Sequence, residues 1–125
     1  MASARYSELV QRRFREARHA GEIDREPGGF AAYVEEGGSG ARIRLTAAAD
    51  KATLRALRFQ VFGCPHLIAA ADLVCERLEG RPVKELAGFD CGALREELDA
   101  PLEKSGRFLL LQDALDALAV TLDAA

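Results

Sequence analysis

Cys64 sits in the run Phe62-Gly63-Cys64-Pro65-His66-Leu67-Ile68-Ala69, where an alternating strand pattern passes through a glycine into a helical one. Proline directly after the cysteine suits the first helical position, so Cys64 falls at the helix amino terminus. The partial positive charge there favours a thiolate, the form that attacks electrophiles and binds metals. His66 lies in the same first turn, where the dipole favours neutral imidazole, which is a ligand. Cys64 and His66 are therefore the candidate pair, for metal ligation or for thiol chemistry with His66 as base. The second use lacks an evident carboxylate to orient the imidazole. A zinc site would need further ligands, because closed structural zinc takes four. Left to itself, a histidine at such a position is more often a surface residue.

The other two cysteines read differently. Cys75 follows Cys64 by roughly 16 Å of helix axis and shares the apolar face of its helix, so it belongs to the core. Cys91 follows Phe89-Asp90 in a loop and reads as a surface or half-buried thiol. The glycine-rich stretch Glu36 to Gly40 joins strand to strand and lacks a following Lys-Ser/Thr, so a hairpin turn explains it better than a phosphate cradle. Arg12, Arg13, Arg15 and Arg18 form a basic cluster that reads as a solvated helix face, or as a docking surface for an acidic partner. His19 belongs to a turn.

These residues must be positioned by the elements around them. Ser7 to Arg18 has helical spacing of Leu9, Val10 and Phe14, with Ser7 as N-cap. Gly21 to Gly29, with Pro27, is turn-rich. Three strands follow at Phe30–Glu35, Ala41–Ala47 and Leu54–Phe62. In the second, Ile43 and Leu45 point opposite to Arg42, Arg44 and Thr46; in the third, Leu57, Phe59 and Val61 point opposite to Arg58 and Gln60. That period of two belongs to a sheet covered on one face. Helices are expected over Pro65–Glu79, Val83–Ala87, Gly92–Leu98 and Ser105–Leu122. Strands first and helices after predict an α+β fold: a three-stranded antiparallel sheet with helices packed on one face. A meander of this kind brings the loop after the first strand beside Gly63-Cys64. A final helix starting at that edge adds Gly106 and Arg107, leaving Cys64 at the bottom of a small glycine-lined pocket.

The whole chain, 125 residues and 49% hydrophobic, is expected to form one domain over 1–125 and to bury roughly two-thirds of its unfolded surface. A net charge of −3 argues against nucleic acid as a partner. No apolar run reaches the roughly 20 residues a membrane span needs, and Met1 to Tyr6 carries no signal-peptide core. Three irregularly spaced cysteines do not make a disulfide framework, which suits a reducing cytoplasm.

Several segments together resemble the IscU/NifU-type iron–sulfur cluster assembly scaffolds. Tyr6 through Phe14 with Arg18-His19-Ala20-Gly21 resembles that family's opening helix and Arg-Asn-Val-Gly turn. Phe59 to Cys64 resembles the strand leading to its second cysteine ligand, and Glu76-Arg77-Leu78-Glu79-Gly80 continues the following helix in register. Ala100-Pro101-Leu102-Glu103-Lys104 stands where the family has Leu-Pro-Pro-Val-Lys, and Gln112-Asp113-Ala114 where it has Glu-Asp-Ala. The resemblance implies a non-enzymatic scaffold carrying an iron–sulfur cluster, with a cysteine desulfurase and acceptor proteins as partners. It also implies a ligand set. The family's Cys-Gly-Asp falls on Gly37-Gly38-Ser39 here, and its His-Cys falls on Gly106-Arg107, so Cys64 alone keeps a ligand type. The expectation is a member altered at its cluster site, acting through partner contacts or through the single thiol of Cys64. The alternative is a cluster-free regulatory module that binds the desulfurase.

Overall fold

The alternation of Ile43, Leu45 and Ala47 against Leu57, Phe59 and Val61 calls for a sheet with one apolar face, and the computed structural model contains it. The structure describes residues 6–21, 30–38 (backbone), 40–50 and 52–123. The expected turn segment beyond Gly21, with Pro27, and the ligand position Ser39 lie outside the described residues. Strands β1 (Phe30–Gly38), β2 (Ala41–Asp50) and β3 (Thr53–Phe62) form an antiparallel sheet in the order β1-β2-β3. Each runs past the end of its apolar alternation, because backbone pairing continues where side-chain pattern stops.

The register pairs Leu45 with Phe59 and Ala47 with Leu57, so these buried side chains share one face. Ala48 pairs with Ala56 but Ala49 pairs with Leu54, which leaves Arg55 as the extra residue of a bulge. The bulge turns Leu54 and Leu57, three apart, onto the same buried face, where a regular strand would oppose them.

That face is covered by α2 (Pro65–Leu78) against β3 and by α5 (Ser105–Asp123) across β1 and β2. Phe108, Leu111, Leu115, Leu118 and Leu122 form the buried stripe of α5. The short helices α3 (Glu85–Gly88) and α4 (Gly92–Glu97) pack on α5, and a 3-10 turn, Leu102–Lys104, leads into it. Helix α1 (Glu8–Glu16) packs on α2 from the other side. Helix α2 is consequently buried almost all round, including residues 69–75, although its sequence pattern suggests a single apolar face. No helix among the described residues is long and apolar enough to cross a membrane.

Ser7 caps α1 as its sequence predicts: its hydroxyl accepts from Val10 N–H at 3.2 Å and donates to the Leu98 carbonyl at 2.9 Å. The helix stops at Glu16, short of the expected Arg18, because the chain at 19–21 is recruited to the outer edge of β3. There Phe59 N–H donates to His19 O at 3.0 Å, and Gly21 N–H donates to Phe59 O at 2.7 Å. Further along the same edge, Leu54 N–H donates to Arg81 O and Gly80 N–H to Leu54 O. The reversal needs Gly80, whose φ of +85° an L side chain rarely adopts. These two straps protect most of an otherwise exposed strand edge.

The basic cluster of α1 is not simply solvated. Arg13 turns inward, its guanidinium 3.1 Å from Asp72 Oδ2 and 2.5 Å from Glu76 Oε2 on α2. A lone acid in the run Leu67 to Cys75 was the legible sign of such a pairing, since a buried carboxylate requires a cation or several donors.

Candidate functional site

Strand β3 delivers Phe62, Gly63 makes the turn, and Cys64 caps α2 with extended backbone (φ −80°, ψ 163°). Its carbonyl accepts from Leu67 N–H at 3.0 Å and Ile68 N–H at 3.2 Å, which fixes the cysteine to the first turn. A Cβ at residue 63 would lie 3.1 Å from Leu67 Cδ2, so glycine lets the turn close onto the helix it begins. The thiol of Cys64 is half-buried and makes no capping hydrogen bond.

His66 is not a surface histidine. It is 2% exposed, its ring 4.9 Å from that of Tyr6, and neither ring nitrogen has a hydrogen-bond partner among the described residues. The residue leading into α1 covers it, a long-range contact that local spacing does not reveal. Burial, and then the charge of Lys104, lower the pKa of the imidazole. Neutral His66 is thus favoured in the folded chain, while the unfolded chain takes up a proton below about pH 6.5. Stability contributed by His66 is present above that pH and is lost as pH falls through the lower folded value. Urea midpoints of the metal-free protein should accordingly drop between pH 7.5 and 5.5, and His66→Phe should flatten that drop. A wild-type midpoint independent of pH over this range would refute the assignment.

Lys104 acts on His66, so the start of α5 lies near the start of α2. Gly106 is exposed in the first turn of α5, with open space where a Cβ would be, and Arg107 beside it is half-buried. Gly37 pairs with Arg42, and Arg42 with Phe62. Two strand spacings, roughly 10 Å, therefore separate Gly37 from the residue two before Cys64. Gly37 and the junction that leads into α2 thus lie at the same end of the sheet, and no group of three or more His, Cys, Asp or Glu among the described residues could hold a metal ion.

A groove of about 1030 Å³ lies at the opposite end of β3 from Cys64 and is lined by Ala52, Pro82, Val83, Val120 and neighbours. Cys75 is fully buried, as its position on α2 requires. Cys91 is buried too, against expectation: it stands at the start of α4, where its N–H donates to Gln112 Oε1 at 3.0 Å. Packing of α4 onto α5 encloses a residue whose local sequence looks like a loop. Burial pushes its thiol up to about 12.

A model of the NifU-like N-terminal domain matches residues 5–122. The chain belongs to the NifU-like N-terminal domain family. Among its NifU-like relatives, the iron–sulfur cluster assembly scaffold protein IscU of Haemophilus influenzae is 25% identical over 114 residues, 90% of each chain. The IscU of Escherichia coli is 31% identical over 68 residues, 54% of this chain and 53% of that one. A protein of Fervidobacterium islandicum, assigned as an iron–sulfur cluster assembly scaffold for the SUF system, superposes with a TM-score of 0.71 at 14% identity, covering 95% and 99% of the two chains. A NifU-like N-terminal structure from Brucella abortus gives 0.53 at 13% identity, covering 90% and 79%. At those identities the two structures bear on the fold alone, an α+β arrangement with an antiparallel sheet and helices. The family model and the sequence relatives place this NifU-like chain among iron–sulfur cluster assembly scaffolds.

Proposed function

We propose that residues 1–125 form one NifU-like domain that handles sulfur through the single thiol of Cys64 and does not hold a cluster with four protein ligands. The observation that carries this is a half-buried Cys64 at the start of α2 with no metal-holding group around it among the described residues. Clusters are held by four thiolates, or by thiolates with histidine replacing some. Gly37 and Gly106 offer no ligating side chain, and the guanidinium of Arg107 has no lone pair to give. His66 as a substitute ligand would have to leave its contact with Tyr6. The residues present therefore do not fit an iron–sulfur cluster in the family manner, and a four-ligand zinc site fits no better.

A lone thiolate suffices to accept sulfur. The Cys64 thiolate attacks the terminal sulfur of a persulfide carried by a cysteine desulfurase. The donor's S–S bond breaks, the donor cysteine leaves as thiolate, and a new S–S bond forms on Cys64. No external oxidant or reductant is consumed. In this role the protein is a sulfur-carrying scaffold and not an enzyme, with a cytoplasmic desulfurase and acceptor proteins as its partners.

Phe62 gives specific support to a second reading, a cluster-free module that binds the desulfurase. It is 77% exposed, two residues before Cys64 and opposite Arg42 in the sheet. Large aromatics beside arginine are frequent anchors of protein interfaces. One experiment separates the readings. Anaerobically purified protein is assayed for iron, zinc and acid-labile sulfide, then incubated with a cysteine desulfurase and labelled cysteine, with Cys64→Ala alongside. One labelled sulfur per chain, absent from the variant, with little iron, is the expected result. Stoichiometric iron and sulfide lost in Cys64→Ala would mean a cluster with unconventional partners. Undiminished desulfurase binding with no sulfur transfer would leave the second reading.

A further inference from the structure

The outer face of α1 and the groove at the far end of β3 carry matching chemistry. Val10 of α1 is buried and Arg13 is paired on α2, which directs the other side of the helix outward. That side holds Gln11, Phe14 and Arg15, spaced three and four apart and so neighbours on one surface, with Glu8 and Arg12 alongside. Phe14 is 46% exposed. Arg12 and Arg15 are exposed and form no ion pair among the described residues. An exposed aromatic ring flanked by guanidiniums has the composition of an interface anchor.

The groove has the complementary composition. Ala52, Val83 and Val120 line it with apolar surface, and Val120 is 70% exposed. Asp116 and Asp123 of α5 stand in its lining with Lys84. The last turn of α5 holds no basic residue, so Asp123 adds its charge to the negative end of the helix dipole. Asp123 forms no ion pair among the described residues. A cation brought from outside relieves that end. A wholly apolar ligand could fill the groove, about 1030 Å³, but would leave both acids unanswered. The arginine stems of an incoming helix cover apolar wall while their heads reach the acids.

We propose that the groove takes the outer face of α1 from a second copy of this chain. Phe14 packs on Val83 and Val120, Arg12 and Arg15 reach Asp116 and Asp123, and Glu8 meets Lys84. The contact joins two different surfaces. A copy that has filled its neighbour's groove still offers its own, so association runs past the dimer into chains or a closed ring. The groove lies at the opposite end of β3 from Cys64, so association does not draw on the thiol. The contact is small and rich in charge, which makes it weak and sensitive to salt.

Sedimentation of the full chain under reducing conditions tests this, at about 0.05 M and about 0.5 M salt, where screening differs severalfold. At low salt the average mass should rise with concentration above that of one chain and pass that of two. High salt should weaken the association roughly tenfold. Phe14→Asp and Val120→Asp, each at an exposed position, should each be monomeric alone. Mixed, they should form a 1:1 complex, because each variant keeps the surface the other has lost. Cys64→Ala should associate as the wild type does, so failure here is separate from failure of sulfur acceptance at Cys64. A wild type that stays monomeric at about millimolar concentration overturns the proposal and leaves the groove to a basic helix of another protein. Association that persists in both variants, or variants that do not combine when mixed, also overturns it. Should an aspartate prevent folding, Phe14→Ser and Val120→Ser serve in the same scheme with the same outcomes.

Discussion

Replacing Asp72 with alanine is expected to destabilise the protein by about 3 kcal/mol, the range found when one partner of a buried ion pair is removed. Asp72 is 1% exposed and accepts from both the Arg13 guanidinium and the His19 main-chain N–H. Its loss leaves Arg13, itself largely shielded, without its inner partner, and strands a main-chain donor that water reaches poorly. Both contacts join α1 and its following turn to α2, so the loss should appear as detachment of that layer as well as a lower urea midpoint. The Arg77–Glu97 pair on the surface supplies the contrast. Glu97→Ala should cost less than about 1 kcal/mol, because water screens the charges and solvates whichever remains. Equal losses in the two variants, measured by urea unfolding under identical conditions, would show that burial of Asp72 carries no special weight.

The second large effect concerns the three thiols. In the native protein at pH 8, iodoacetamide should modify Cys64 and leave Cys75 and Cys91 untouched. Burial raises the thiol of Cys75 well above its ordinary value, with the nearby Asp72 and Glu79 charges adding to the shift. Cys91, raised to about 12, holds roughly one thiolate in ten thousand at that pH. Exclusion of the reagent slows both further. Mass spectrometry should find one label per chain in buffer and three in urea, and Cys64→Ala should take up none until it unfolds. Native labelling of Cys91 would mean that α4 does not stay packed on α5. Native resistance of Cys64 would remove the chemical basis for sulfur acceptance at the start of α2.

The elements nearest the site were legible because their signals are local. Alternation in Ala41–Ala47 and Leu54–Phe62 marks strands, the Gly-Cys-Pro run marks a helix start, and Ser7 marks another. Strand ends, by contrast, extended beyond the pattern, since pairing is a backbone property that side-chain types do not bound. The bulge at Arg55 was not foreseen for a related reason. It reconciles Leu54 and Leu57 on one face, a need that only the register with β2 creates.

Sequence by itself determined that Cys64 stands at a strand-to-helix junction, and that Gly37, Gly106 and Arg107 bring no thiolate, imidazole or carboxylate to it. These are matters of residue type and local spacing, which no packing can alter. Tertiary structure decided the environments. It buried His66 under Tyr6 and enclosed Cys91 between α4 and α5. It also turned Arg13 from solvent onto Asp72 and placed His19 between two acids. Each of those outcomes rests on contacts between residues far apart in the chain. Burial and charge pairing depend on what arrives from elsewhere, so local pattern cannot report them.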